Sequence, residues 1–433
     1  MKIHFIGIGG IGVSALAQYY LAKGHKVSGS DLASSEITDF LKKSGAKVFI
    51  GQNLAKNLAK DTDLVIHSPA VQSDNPEIKK AEKLNIKIQS YPKALGELTK
   101  KYFTIAISGT HGKSTTVAMT ALILMKAGLD PTVIVGTKLK EFNETNFRIG
   151  KSKYLIIEAD EWHASFLSYW PKIIVLTNIE REHLDYYKDL KHILKTYKEY
   201  IGHLPKDGLL VVNEDDKNIN KIFNKFSIKK FSIKQKERER LSKILKVPGE
   251  YNIYNALAAL TVARALKVPD KISFKALSQY TGAWRRFDIK KGEINDKRFT
   301  IISDYAHHPT EVSAALIASR EKFPNKKIWC IFQPHQYQRT FYLFNDFVKV
   351  FSQAPIDKLI ITDIYDVAGR EKGGIRKKVS SEKLIKKLNK SWMIYLPKEK
   401  IKNHLKRNLK RGEVVIIMGA GDIYELVKKF STM

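Results

Sequence analysis

Two glycine-rich loops, each set between a short apolar strand and a helix, constrain this chain more than any other feature. The first is Gly7-Ile8-Gly9-Gly10-Ile11-Gly12, preceded by the apolar run 2–6 and followed by a helical pattern over 13–23. Its G-x-G-x-x-G spacing lets backbone N–H groups approach a diphosphate at a helix N-terminus. Asp31 ends the next strand, about 20 residues on, where an acid accepts a hydrogen bond from a ribose. The pattern leaves open NAD, FAD, a UDP-sugar or a bare structural turn. The second loop is Ser108-Gly109-Thr110-His111-Gly112-Lys113-Ser114-Thr115-Thr116. It departs from G-x-x-x-x-G-K-[ST] at Ile107 but keeps the GTxGK[ST] core. In such a loop Lys113 reaches the β- and γ-phosphates and Ser114 holds Mg²⁺. Two nucleotide loops in separate blocks argue against a simple dehydrogenase.

Around these loops, strands alternate with helices in three blocks, so the fold class is α/β with largely parallel sheets. Strands are expected at 2–6, 26–30, 47–50, 64–67 and 87–89, then at 103–108, 154–158, 173–177 and 209–212. The third block starts near Asp288, with strands at 300–303, 327–332, 358–362, 392–395 and 414–418. The Lys-rich stretch 222–246 is poorly patterned and reads as a short excursion. A length of 433 residues accommodates two to four domains.

Composition excludes several classes. The single cysteine, Cys330, lies in the apolar run Ile328-Trp329-Cys330-Ile331-Phe332, which rules out a disulfide framework and a thiolate metal site. No uninterrupted apolar stretch reaches about 18 residues, so no membrane partner is expected. Glycines interrupt the N-terminal apolar run, which argues against a signal peptide, and a cytoplasmic location is expected. The 75 basic residues against 44 acidic ones give a net charge of +31. The basic residues are mostly lysines spread along the whole chain. Clustered arginines with interleaved aromatics are missing, so no specific nucleic-acid partner is expected. The charge suits anionic small substrates.

The remaining chemistry-bearing residues fall at strand ends, where α/β sites form. Glu158-Ala159-Asp160-Glu161 ends one strand, and Asn178-Ile179-Glu180-Arg181-Glu182-His183 follows the next. Carboxylate oxygens with a supplementary imidazole suit Mg²⁺. Asp304-Tyr305-Ala306-His307-His308-Pro309-Thr310-Glu311 and Gln333-Pro334-His335-Gln336-Tyr337-Gln338-Arg339-Thr340 end two strands of the third block, making a pocket for a small anion. Thr310 and Glu311 also read as a helix start. Gly419-Ala420-Gly421-Asp422 closes the last strand.

Taken together, these residues resemble the Mur ligase family from end to end. The family's GIGGIG, GTHGK, EADE and TNIE motifs match at 7–12, 109–113, 158–161 and 177–180. An acid-His-x-Asp follows at 182–185, PG-x-x-N-x-x-NALAA at 248–259 and RRF at 285–287, before the HHPTE and FQPH segments. The resemblance implies three domains. These are a Rossmann-like UDP-sugar domain over 1–97, a P-loop ATPase with a mostly parallel sheet over 98–287, and a Rossmann-like amino-acid domain over 288–433. It implies an ADP-forming ligase of peptidoglycan precursor synthesis, hence of cell-wall growth and division. The motifs stand nearest the branch that phosphorylates the lactyl carboxylate of UDP-N-acetylmuramate with ATP and joins it to L-alanine. A ligase for another amino acid or a recycled peptide is the rival within the family.

The resemblance also implies site roles. Gly9, Gly10, Ile11, Gly12 and Asp31 bind the UDP-sugar. Gly109, Thr110, His111, Gly112, Lys113, Ser114, Thr115, Asn252, Asn255 and Arg286 bind ATP. Lys113, Glu158, Asn178, His183, His307 and Arg339 are catalytic. Ser114, Glu158 and His183 hold Mg²⁺, two ions being expected, with Mn²⁺ an acceptable substitute. A monomer or homodimer is expected. Three positions depart from the family pattern: Tyr251 stands for a His, Trp162-His163 for Ser-Asp, and Gln336 for an Arg that helps bind the amino-acid carboxylate. The stretch 213–248 is short for the family, and no residue is identified as the base for the amine.

Overall fold

In a computed structural model of the chain, which describes residues 1–52, 54–223, 226–367 and 374–432, the strands form three sheets. The first comprises β1 (Lys2–Ile6), β2 (Lys26–Asp31), β3 (Lys47–Ile50), β4 (Leu64–His67) and β5 (Lys87–Ser90). Its order is β3-β2-β1-β4-β5, all parallel. The second holds β6 (Phe103–Ser108), β7 (Thr132–Leu139), β8 (Thr145–Arg148), β9 (Tyr154–Ala159), β10 (Ile173–Leu176), β11 (Leu209–Asn213) and β12 (Ser227–Phe231). Its order is β12-β11-β10-β6-β9-β7-β8, with an antiparallel β7–β8 pair at one edge. The third holds β13 (Asp288–Ile294), β14 (Lys297–Asp304), β15 (Ile328–Phe332), β16 (Lys358–Ile361), β17 (Met393–Tyr395) and β18 (Val414–Met418). It runs β13-β14-β18-β15-β16-β17, antiparallel between β13 and β14 and parallel elsewhere.

The central strands are apolar end to end because helices cover both faces. β10 and β18, Ile-Ile-Val-Leu and Val-Val-Ile-Ile-Met, are buried throughout. Two apolar clusters flank the third sheet, one built on Phe332, Phe347 and Phe351, the other on Trp329, Ile401 and Phe430. The stretch 222–246, expected as an excursion, instead carries β12 and the helix Glu237–Ile244; residues 224 and 225 lie outside the described residues. Its Ser-Ile-Lys-Lys-Phe strand is a mostly exposed edge, so it carries no two-sided apolar signal. β7, β8 and β13 were likewise missing from the expected strands.

The chain divides into two compact units. One comprises Met1–Glu180, Ile193–Glu237 and Asn255–Leu277, and so carries the first two sheets. The other comprises Arg181–His192, Arg238–Tyr254 and Ser278–Met433, and carries the third. Within the first unit, the helix Ile11–Ala22 that opens at the glycine loop is fastened to the β7–β8 hairpin. Gln18 Nε2 donates to Asn146 Oδ1 (2.8 Å), and Asn146 Nδ2 donates to Ser14 Oγ (3.0 Å) and to the Ile11 carbonyl.

Candidate active site

In the second sheet, β6 lies between β10 and β9, so the phosphate loop leaves the sheet where strand order reverses. Such a crevice is where open α/β sheets bind ligands. The neighbouring strand ends supply what the loop needs. Asn178, after β10, clasps the loop backbone: His111 N donates to its Oδ1 (2.8 Å) and its Nδ2 donates to the His111 carbonyl (3.1 Å). Glu180 N donates to Thr110 Oγ1 (2.9 Å). Lys113, at the first position of the helix Lys113–Lys126, donates to the carbonyls of Gly109 (2.6 Å) and Thr110 (3.2 Å). It also donates to Glu161 Oε2 (2.9 Å), a carboxylate only 2% exposed. Burial alone would lower the Lys113 ammonium, but Glu161, Asp160 and Glu158 outweigh it and hold the group above its ordinary value. Asn255 sits against the same helix, accepting from Thr116 Oγ1 (3.2 Å).

Ser114 and Glu158 meet directly, with Ser114 Oγ donating to Glu158 Oε2 at 2.9 Å. The same oxygen accepts from Gly136 N at 2.8 Å. Gly136 is available because the β7–β8 register shifts between Ile134 and Leu139. A Cβ on Gly136 would stand 2.7 Å from Glu158 Oε2, so a side chain there displaces that carboxylate. Glu158 Oε1 accepts nothing from the described residues. A hydroxyl oxygen and an unsaturated carboxylate oxygen beside the phosphate loop are the hard donor set that Mg²⁺ prefers, so the residues fit that ion.

At the end of β1, the glycine loop faces a cavity of about 660 Å³, lined by Gly7, Gly9, Gly10, Asp31, Ser68 and Asn75 among others. This is the size of a small-ligand pocket. Asp31 Oδ2 accepts from Gly9 N (2.8 Å), so the acid braces the loop as well as facing the cavity.

The second unit gathers a different set. Glu182 and Arg339 form a buried pair, with Nε and Nη2 of Arg339 donating to Glu182 Oε1 at 2.9 and 2.6 Å. Nη1 of Arg339 donates to the His335 carbonyl (3.0 Å) and contacts His335 Nδ1 (3.1 Å). Most of the guanidinium is therefore spoken for, and one Nη2 proton is left for a ligand. Burial would raise the Glu182 carboxyl, but Arg339, backed by His183 and His308, holds it well below its usual range. Arg339, Gln336, Glu182 and His183 line a cavity of about 10 Å³, room for about one water. His183 has a left-handed backbone (φ 53°), and its buried Nδ1 has no partner among the described residues.

His307 is within 2.9 Å of the Tyr305 carbonyl and 3.4 Å of Glu311 Oε2 through Nδ1. Two acceptors facing Nδ1 fix its proton there and leave Nε2 as the basic nitrogen. Burial, with the Arg339 charge adding, pushes the imidazole down to about 4 against the opposing pull of Glu311 and Glu182. Glu311 accepts from the backbone N–H of His307 (3.1 Å) and His308 (3.4 Å), the helix-start geometry read from the sequence. Asp304 accepts from Phe287 N (2.8 Å) and Ala306 N (2.7 Å), tying the 285–287 segment to the end of β14. Burial pushes its carboxyl up to about 6, with Arg286 opposing. Asn252 Nδ2 donates to the Pro248 carbonyl (2.6 Å), and Arg286 lies 5.0 Å from the Tyr305 ring.

Of the expected residues, the structure thus brings together Lys113, Ser114, Glu158 and Asn178 in one unit, and His183, His307 and Arg339 in the other. Glu161, Gly136, Glu182 and Asp304 were not among the expected site residues. Glu161 and Glu182 stood inside the motifs quoted for strand ends, but their cationic partners are distant in sequence. Gly136 had no signal beyond an isolated glycine in an apolar run, the mark of a bulge.

Three family models match the chain in succession: the Mur ligase family catalytic domain over residues 2–103, the Mur ligase middle domain over 107–263, and the Mur ligase glutamate ligase domain over 285–421. The UDP-N-acetylmuramate–L-alanine ligase of Clostridium botulinum strain Hall is 41% identical, the alignment covering 98% of this chain and 96% of that protein. Its counterpart in Acetivibrio thermocellus is 42% identical, over 99% and 95% respectively. Among solved structures, the UDP-N-acetylmuramate–alanine ligase of Thermotoga maritima superimposes with a TM-score of 0.80 at 28% identity, covering 99% of this chain and 98% of that one. No helix among the described residues is long and apolar enough to cross a membrane.

Proposed function

Because the chain belongs to the Mur ligase family, we propose that it is the ATP-dependent ligase that joins L-alanine to the lactyl carboxylate of UDP-N-acetylmuramate. The observation that carries the chemistry is the phosphate loop with Lys113 at its helix start and the Ser114–Glu158 oxygen pair beside it. The reaction runs in two displacements. A carboxylate oxygen attacks the γ-phosphorus of ATP, the bond to the β-phosphate oxygen breaks, and ADP leaves. The amine nitrogen of L-alanine then attacks the acyl carbon, the bond to the phosphate oxygen breaks, and the amide and phosphate remain. No nucleophilic side chain is required, since phosphorylation makes the carboxyl carbon the electrophile.

Each residue has a place in that sequence. Lys113 exchanges Glu161 for the γ-phosphate oxygens and stabilises charge on the transferring group. Ser114 and Glu158 are assigned to Mg²⁺, which when bound neutralises phosphate charge; His183 is assigned to a second ion. Asn178 keeps the loop closed around the phosphates. Gly9, Gly10 and Asp31 are assigned to the UDP-sugar, whose diphosphate suits the start of the helix Ile11–Ala22. His307, whose Nε2 is held unprotonated, is assigned to the amino-acid end of the site. Arg339, steadied by Glu182, offers its remaining N–H to the amino-acid carboxylate.

The test is phosphate release from ATP and Mg²⁺ with UDP-N-acetylmuramate, each amino acid being supplied separately and the product weighed. Release with L-alanine alone, and a product heavier by one alanyl residue, is expected. Release only with glycine, serine or a peptide would overturn the acceptor assignment and point to Gln336.

A further inference from the structure

Tyr91 opens the helix Tyr91–Thr99, and neither the sequence motifs nor the roles above use it. Pro92 at the next position favours a helix start there, so the ring is presented from a fixed backbone. That ring covers one side of the glycine-loop helix. A Cβ on Gly12 would stand 2.9 Å from both Cζ and Oη of Tyr91. A side chain at the last glycine of the loop would therefore displace the phenol beside it. Tyr91 is half-buried, yet its hydroxyl makes no hydrogen bond to any described residue. Burial, with the charges of Glu158 and Asp160 adding, pushes the phenol well above its usual range, so it remains an O–H donor.

Its placement along the first unit is informative. The large cavity at the glycine loop is lined by Gly7, Gly9, Gly10 and Asp31, and by neither Gly12 nor Tyr91. Tyr91 packs on Gly12, the last glycine of the loop, and lies within electrostatic reach of Glu158. On the ligase reading, a sugar nucleotide with its diphosphate at the loop and its carboxylate at Glu158 spans the two groups that Tyr91 adjoins. We propose that the Tyr91 hydroxyl is a substrate-binding group that donates a hydrogen bond to an oxygen of the muramyl half of the sugar nucleotide. This rests on the ligase reading above, which supplies the substrate.

Tyr91→Phe keeps the ring on Gly12 and removes only the donor. Titration calorimetry of the full chain with UDP-N-acetylmuramate and with UDP separates the possibilities. The expected result is affinity for UDP-N-acetylmuramate weakened about tenfold, as for loss of one hydrogen bond. UDP affinity and melting temperature should match the parent. Unchanged affinity for UDP-N-acetylmuramate would overturn the proposal, and so would an equal loss with UDP, since that places the phenol on the diphosphate. A parent protein that binds UDP but not UDP-N-acetylmuramate would instead overturn the ligase reading.

Discussion

Arg339→Met removes a cation from the least exposed ion pair of the second unit's cluster while keeping much of the side-chain volume. The side chains of Arg339 and Glu182 are 6% and 8% exposed. Two guanidinium N–H groups and the His183 backbone N–H (3.0 Å) converge on Glu182 Oε1. Deleting the arginine strands a buried carboxylate, a change that costs about 3–5 kcal/mol. For domains of 150–250 residues each kcal/mol moves the melting temperature by about 2–4 °C, so a fall of roughly 6–20 °C is expected. Trp284, Trp329 and Trp392 all lie in the second unit and report its melting by fluorescence. Adding Glu182→Gln to Arg339→Met removes the stranded charge and should recover at least half of the loss. The pH dependence has a definite sign. A depressed carboxyl contributes stability above its ordinary value near 4.5 and loses it as pH falls through the folded value. Without Arg339 the carboxyl protonates readily, so the gap between variant and parent narrows on acidification. A variant within about 2 °C of the parent, or a double substitution no better than the single one, would refute the reasoning.

Three further outcomes follow from the same geometry. Lys113→Ala should abolish phosphate release from ATP, and ordinary turnover in that variant would remove the phosphate loop from the mechanism. Gly136→Ala places a methyl 2.7 Å from Glu158 Oε2, and because groups that orient a metal ligand are worth about 10–100-fold in metal affinity, half-maximal activity should need at least about tenfold more Mg²⁺. An unchanged Mg²⁺ titration would show that the bulge does not orient the acid. His307 takes its proton near 6.5 when unfolded and near 4 when folded, so its contribution to stability is lost as pH falls from 6.5 to 4, about 3 kcal/mol in all. His307→Gln should flatten that part of the urea-denaturation profile, and equal acid sensitivity in the variant would contradict the assignment.

The sequence made the centre of each sheet legible and its margins obscure, for a physical reason. β10 and β18 are covered on both faces and are apolar throughout, whereas β12 and β13 are edges with lysines among their exposed positions. The site divides in the same way. Lys113, Ser114 and Glu158 were readable because a phosphate loop and a strand end impose residue type at fixed spacing. The Arg339–Glu182 pair was not, since its members stand 157 positions apart and only the fold joins them.

What one-dimensional spacing omits most consistently is the partner each charged group already has. Asp31 is held by Gly9 N–H, Lys113 by Glu161, and Arg339 by Glu182. On the ligase reading, phosphate binding at Lys113 is therefore an exchange of partners rather than the filling of an empty charge, whereas Arg339 keeps Glu182 and offers only its remaining N–H. At Lys113 the exchange of one anion for another changes the lysine's own electrostatics little. It leaves Glu161, 2% exposed, without its cation. Taking the cation from a buried carboxylate is costly. On the ligase reading, the expense of seating the phosphate falls on the acids around Lys113, and a divalent cation among them would offset it.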